Sequence, residues 1–415
     1  MTTGLTTYKS EMENELQSIL AFWMQHTVDE QHGGFRGQVD FSNNVIETAP
    51  KGSVLNARIL WSFSAAYNLT GNTTYLSYAE RAYQYICDYF IDQEFGGVYW
   101  TVDHTGKPLD TKKQVYAIAF TVYAFSEYYK AVRQPAIIQQ AIGLYDDIIR
   151  HSHDALNGGY IEAFTREWKD MDDLRLSAKD ANEKKTMNTH LHVLEAFTNL
   201  YTVWPYDLLK IKIRQLLQDF LKHIIDPETG RQHLFMDENW QPRSQTISYG
   251  HDIEAAWLLQ EAAAVIEDGE LLHLIKQKAV AMTDAAAEGL DADGGLWYEY
   301  EPPEKKLVKE KHMWPQAEAM VGFFNAWQNT GNDLYLQQSV ASWHFVQQYI
   351  QDKQNGEWFW GVQEDYTPMQ KDKAGLWKCP YHNTRACIEI IKRIEETAPA
   401  KKINGHAMGA VAVGE

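Results

Sequence analysis

The sequence predicts an all-α fold, an (α/α)6 barrel in which six inner helices stand inside six outer ones. Two observations predict it. A small glycine loop recurs six times at nearly constant spacing, and the intervals between loops hold paired helical patterns of unequal polarity. The loops are Gly33-Gly34-Phe35, Gly96-Gly97-Val98, Gly158-Gly159-Tyr160, Thr229-Gly230-Arg231, Gly294-Gly295-Leu296 and Asn355-Gly356-Glu357. Counted from residues 33, 96, 158, 230, 294 and 356, the gaps are 63, 62, 72, 64 and 62. A fixed period marks a repeat architecture, and this one suits two helices and a loop. Glycine reaches positive φ at no steric cost, so each loop reads as a tight turn. Where apolar residues follow, as in Val98-Tyr99-Trp100 and Leu296-Trp297-Tyr298-Glu299-Tyr300, short β-hairpins are expected.

The elements follow in order. Tyr8–His26 opens the chain as a helix. Helical pairs then recur as Leu55–Tyr67 with Thr74–Tyr89, Val115–Val132 with Ala136–Ile149, and Met187–Trp204 with Leu208–Ile225. They continue as His251–Ile266 with Leu271–Ala287 and Trp314–Gln328 with Leu334–Ile350, and His382–Ile394 closes the series. The first member of each internal pair is generally more apolar, as in Ala117-Ile118-Ala119-Phe120. Helices apolar on most faces are buried and one-sided helices lie outside. The first and last helices pair with each other, which makes twelve. One domain spans residues 1–397, and the small, Gly/Ala-rich tail 398–415 is expected to be disordered.

Composition narrows the function. With 45% hydrophobic residues among 415, the chain can bury a large core. Its 38 basic and 56 acidic residues leave a net charge of −18, which repels phosphate backbones, so nucleic acid is not an expected partner. Three scattered cysteines (Cys87, Cys379, Cys387) make neither a disulfide framework nor a CxxC zinc site. The polar N-terminus lacks a signal-peptide pattern, and no apolar run is long enough to span a membrane. The expectation is a soluble cytoplasmic chain, a monomer or weak homodimer. The 14 Trp and 23 Tyr are many; singly they read as packing, collectively they suit stacking against sugar rings.

Each glycine loop joins an outer helix to the next inner helix, so all six loops gather at the N-terminal end of the inner ring. The polar residues hardest to explain by packing also fall there. They are Arg58, Tyr116, Asn188, His190, His192, His251, Glu254, Trp314, Glu318 and His382. Asn188 and His192 are four apart, as are Trp314 and Glu318, and His251 and Glu254 are three apart. Each pair therefore shares a helix face. One histidine in a helix is usually structural, but three at equivalent ends of inner helices point to a site. His190 and His192 lie about 200° apart around their helix and cannot chelate one ion. No His-Glu-x-x-His, Gly-x-Ser-x-Gly, P-loop or Gly-x-Gly-x-x-Gly motif is present. Neither metal nor cofactor is expected. Histidines take and return protons near neutral pH. Two of them on opposite faces of a sugar could move a proton beside a carbonyl. Arg58, a neutral histidine or a tyrosine could stabilise the enediolate oxygen, while Glu254 and Glu318 would hold hydroxyls or orient an imidazole. This describes a sugar epimerase or an aldose–ketose isomerase.

The motifs Leu55-Asn56-Ala57-Arg58, Met187-Asn188-Thr189-His190-Leu191-His192, His251-Asp252-Ile253-Glu254-Ala255-Ala256-Trp257, Trp314-Pro315-Gln316-Ala317-Glu318 and Trp377-Lys378-Cys379-Pro380-Tyr381-His382-Asn383 are similar to those of the N-acylglucosamine 2-epimerase superfamily. The resemblance runs from about Tyr8 to about Glu396 and implies the same (α/α)6 fold. It further implies reversible inversion at C2 of the reducing-end sugar of β-1,4-linked disaccharides, cellobiose to glucosyl-mannose and lactose to epilactose. By the same resemblance His251 and His382 are the acid/base pair and His192 a third essential histidine. The ring opens, the C2 proton leaves, the enediolate turns about C2–C3 and is reprotonated. Arg58, Tyr116, Asn188, Glu254, Trp257, Trp314 and Glu318 match reducing-end contacts, and Asp180 and Trp377 the second-sugar contacts. Epimerases or isomerases of free mannose, in the same superfamily, share the histidines and stay open as an alternative. A glycoside hydrolase on this fold would need a carboxylate pair and leaves the histidines without a task. A sugar-binding or protein-interaction module predicts that the histidines are dispensable.

Overall fold

The computed structural model describes residues 2–397, so the tail 398–415 lies outside the described residues. Its helices are α1 (Thr2–His26), α2 (Ser53–Thr70), α3 (Thr73–Tyr85), α4 (Val115–Val132), α5 (Pro135–His151), α6 (Met187–Val203), α7 (Asp207–Asp219), α8 (Tyr249–Val265), α9 (Gly269–Ala287), α10 (Met313–Thr330), α11 (Asp333–Phe345) and α12 (Tyr381–Thr397). The even-numbered helices form the inner ring, each packed on the next, and α12 returns to α2. Helix α1 packs on α12 and completes the outer ring. The (α/α)6 barrel is present as expected. Polarity explains the layers: α4 is buried at every position from Val115 to Tyr128. By contrast, α5 buries only the stripe Ile137, Ile138, Ala141, Leu144, Tyr145 and Ile148.

The outer helices α3, α7 and α11 stop earlier than their periodicity suggests. Each passes into one π turn, at Ile86–Phe90, Phe220–Ile224 and Val346–Ile350. The amides of Ile91, Ile225 and Gln351 donate to carbonyls five residues back. The wider turn leads directly into the glycine loop.

The loops hold the expected short strands, but most pairing is between repeats. A two-residue strand precedes each of α2, α4, α6, α8 and α10, and it pairs antiparallel with the strand after the following glycine loop. Lys113–Gln114, for example, pairs with Ala163–Phe164. Within-loop hairpins also form, Thr101–Val102 with Pro108–Asp110 and Glu299–Glu301 with Lys306–Val308. Five of these loops carry a lysine–aspartate pair: Lys51–Asp29, Lys113–Asp92, Lys185–Asp154, Lys311–Asp291 and Lys373–Asp352. Strands and ion pairs together fix where α2, α4, α6 and α10 begin, and a strand alone does so for α8.

Candidate active site

A cavity of about 430 Å³ opens at the N-terminal end of the inner ring. Arg58, Tyr116, Asp180, Asn188, His192, His251, Glu254, Trp314, Trp377 and His382 all line it. These residues come from the six inner helices and two loops, so the topology alone brings them together.

The three histidines share one arrangement. The Nδ1 of His192 lies 2.8 Å from Glu195 Oε2, that of His382 lies 2.7 Å from Glu318 Oε1, and that of His251 lies 2.8 Å from Ser248 Oγ. A carboxylate only accepts, so Nδ1 of His192 and His382 carries the hydrogen and Nε2 keeps its lone pair. Burial pushes all three imidazoles below the usual histidine range. His251 falls to about 3, burial being the main cause, with Lys179 and any proton on the His192 or His382 ring adding to it. His382 is lowered by burial with Arg58 and Arg385, and in His192 burial outweighs the opposing pull of Glu195. At neutral pH the site therefore holds three neutral bases. His251 and His382 both pack against the Trp314 ring, with centroids 4.7 and 5.6 Å away.

His190 points away, as its spacing requires. Its Nδ1 lies 2.6 Å from the Thr186 carbonyl, and its Nε2 accepts the Tyr160 amide at 2.9 Å. It fastens the third glycine loop to α6.

Arg58 donates to the Tyr116 hydroxyl at 2.6 Å and lies over the rings of Phe120 and Tyr381, 4.2 and 4.8 Å from their centroids. Its Nε has no partner among the described residues, and neither does Glu254 Oε2. Both atoms belong to cavity-lining residues, which leaves a donor and an acceptor for a ligand.

Trp257 and Glu318, which the resemblance matches to reducing-end contacts, lie one layer behind the cavity wall, each 1% exposed. For Glu318 this is the second of the two expected roles, orienting an imidazole. Trp257 Nε1 donates to Glu318 Oε2 at 3.0 Å, while Glu318 Oε1 holds His382. Residues three or four apart share a face, and that spacing does not report depth.

Behind the wall stands Arg385, which the sequence reading missed. It donates to Glu195, and at 2.6 Å to both Glu254 and Glu318. Glu195 also accepts from the Tyr381 hydroxyl. Burial raises Glu254 and Glu318, Glu318 adds to the rise at Glu254 and Glu195 to that at Glu318, and Arg385 opposes both. In Glu195 burial is outweighed by Arg385 and His192, so its carboxyl stays low. Ligand atoms of Glu254, Glu318 and His382 lie within 4.8 Å of one another, a spacing a metal could use. The Arg385 guanidinium already supplies the positive charge these carboxylates face. The signal for the missed residues was present: Glu195 follows His192 by three, Arg385 follows His382 by three, and Ser248 precedes His251 by three.

The N-acylglucosamine 2-epimerase family model matches residues 33–386. The chain belongs to the N-acylglucosamine 2-epimerase family. Within it, the chain is 46% identical to a cellobiose 2-epimerase of Bacteroides fragilis over 92% of this chain and 98% of that protein. A cellobiose 2-epimerase of Dictyoglomus turgidum is 37% identical over 94% of this chain and all of that one. The solved cellobiose 2-epimerase of Bacillus thermoamylovorans superposes with a TM-score of 0.90 at 38% identity, covering 94% of this chain and 100% of that one. No described helix is long and apolar enough to cross a membrane.

Proposed function

We propose that this chain inverts C2 of the reducing-end sugar of β-1,4-linked disaccharides, turning cellobiose into glucosyl-mannose and lactose into epilactose. One observation carries the reading. Three neutral histidines, each gripped at Nδ1, line a single cavity together with an arginine and a carboxylate that have unpartnered polar atoms. The relatives named above support the disaccharide as substrate.

The chemistry follows from these groups. Ring opening places a carbonyl at C1 beside the C2 hydrogen. Nε2 of His251 or His382 takes that proton, and the electron pair of the broken C–H bond moves toward the C1 oxygen as an enediolate. Arg58, bonded to Tyr116, neutralises the oxygen. After the enediolate turns about C2–C3, the other histidine, which has taken a proton from solvent at Nε2 before this step, returns it to the opposite face and is left neutral. His192, its Nδ1 held by Glu195, is the third histidine the reaction requires. Asn188 and Glu254 hold hydroxyls, Trp314 stacks on the reducing-end sugar, and Asp180 and Trp377 meet the second one. Trp257 and Glu318 act through His382. The volume is typical of a small-molecule pocket. The reading includes no metal and no cofactor, since Arg385 serves as the site's resident cation. It also includes a monomer or weak homodimer in the cytoplasm, and three free thiols support the reducing compartment.

Proton NMR of cellobiose incubated with the protein in D2O and a chelator tests the reading. Glucosyl-mannose carrying deuterium at C2 is expected. Unchanged cellobiose beside turnover of free mannose would move the chain to the monosaccharide branch and remove Asp180 and Trp377 from the site.

A further inference from the structure

The three histidines differ in what stands behind them. Nδ1 of His192 and His382 donates to the carboxyl groups of Glu195 and Glu318, whereas Nδ1 of His251 meets only the neutral hydroxyl of Ser248. Ser248 is 1% exposed and closes the strand that leads into α8. Its backbone is set by pairing with Glu299, so the hydroxyl cannot drift from the ring. The position is the residue before α8, where serine commonly caps the helix. Here the hydroxyl caps nothing and serves His251 instead.

We propose that Ser248 is a positioning residue for His251, fixing the ring with Nε2 toward the cavity while withholding the countercharge that backs the other two histidines. The inference rests on the proposed two-histidine epimerisation. A carboxylate in that place would stabilise the imidazolium and strengthen the base. A hydroxyl donates or accepts, so it orients the ring without that effect. A protonated His251 is thus a stronger acid than it would be with a carboxylate at Nδ1. The titratable and charged groups facing His251 are His192 from α6, Lys179 from the loop before α6, Glu318 from α10 and His382 from α12, the two imidazoles acting on it only when protonated. Three of these four disfavour its imidazolium, as does burial, and only Glu318 opposes them.

Three variants test the proposal on cellobiose, with melting temperature recorded for each. Ser248→Ala is expected to lose about 10- to 100-fold in kcat with KM within about threefold, because the ring is free to turn. Ser248→Thr keeps the hydroxyl and is expected to restore most of that loss. Ser248→Asp is expected to move the acid limb of the kcat/KM profile upward by about one pH unit or more. The sign follows from the base being required neutral: a raised histidine pKa removes activity at higher pH. Wild-type kcat in Ser248→Ala, or an unmoved profile in a folded Ser248→Asp, overturns the proposal. If Ser248→Asp does not fold, the Ala–Thr contrast decides alone. Wild-type protein that leaves cellobiose untouched instead defeats the parent reading, so the two failures are distinct.

Discussion

The charge balance of the site turns on single residues behind its wall. Glu318 joins His382, Trp257 and Arg385, and none of these contacts reaches the cavity through Glu318 itself. Glu318→Gln keeps the shape and removes the charge that backs His382. Steady-state kinetics should show kcat falling about 100-fold with KM changed only a few-fold. A large rise in KM with normal kcat would place Glu318 against the sugar instead. The sequence made His192, His251 and His382 legible because they recur at equivalent helix starts. It left Arg385 and Glu195 unseen. Buried charges inside an inner ring leave no mark in a periodicity that only separates apolar faces from polar ones.

At the scale of elements, the glycine loops set the inner-helix N-termini, and close approach explains their residues. Gly159 has φ +73°, and a Cβ there would lie 2.6 Å from His190 Nε2 and 2.5 Å from the Trp240 ring. Gly159→Ala is expected to cost about 3 kcal/mol or more, read by denaturant unfolding, because both strain and overpacking apply. The six-fold spacing made these loops and the helix pairs legible. The two-residue strands between repeats were not, since two residues carry no alternation to detect. The lysine two residues before α2, α4, α6 and α10 was a readable signal, repeated as Lys51, Lys113, Lys185 and Lys311. Ile247 breaks that series before α8.

At the scale of the molecule, the barrel holds only if its ends meet. Helix α1 closes the ring through buried Tyr8, Met12, Leu16, Ile19, Leu20 and Trp23. Polar stitches accompany them: Trp358 Nε1 donates to Glu15 at 2.6 Å and Trp343 Nε1 to Glu11 at 2.8 Å. Burial raises the Glu15 carboxyl to about 7 against two hydrogen bonds that lower it. A carboxyl raised in the folded state stabilises most when protonated, and that contribution fades as pH rises from the ordinary carboxylate range through 7. Glu15→Gln has no such proton. Its melting temperature relative to wild type should therefore improve between pH 5 and pH 8, following a slope of up to about 1.4 kcal/mol per pH unit. A pH-independent difference would show that Glu15 is ionised throughout. Pairing of the first and last helices was legible because the repeat count left each without another partner. Which side chains form the seam depends on contacts across more than 300 residues, which no local pattern carries.

The central claim is that His251 and His382 work on opposite faces of C2. The most direct test is exchange of the C2 hydrogen in D2O, followed by NMR for His251→Asn and His382→Asn with cellobiose and with glucosyl-mannose separately. Both variants should lose epimerisation, and each should still exchange C2 in one epimer only, a different one in each variant. Exchange confined to the same epimer in both, or epimerisation surviving in either, would contradict the account.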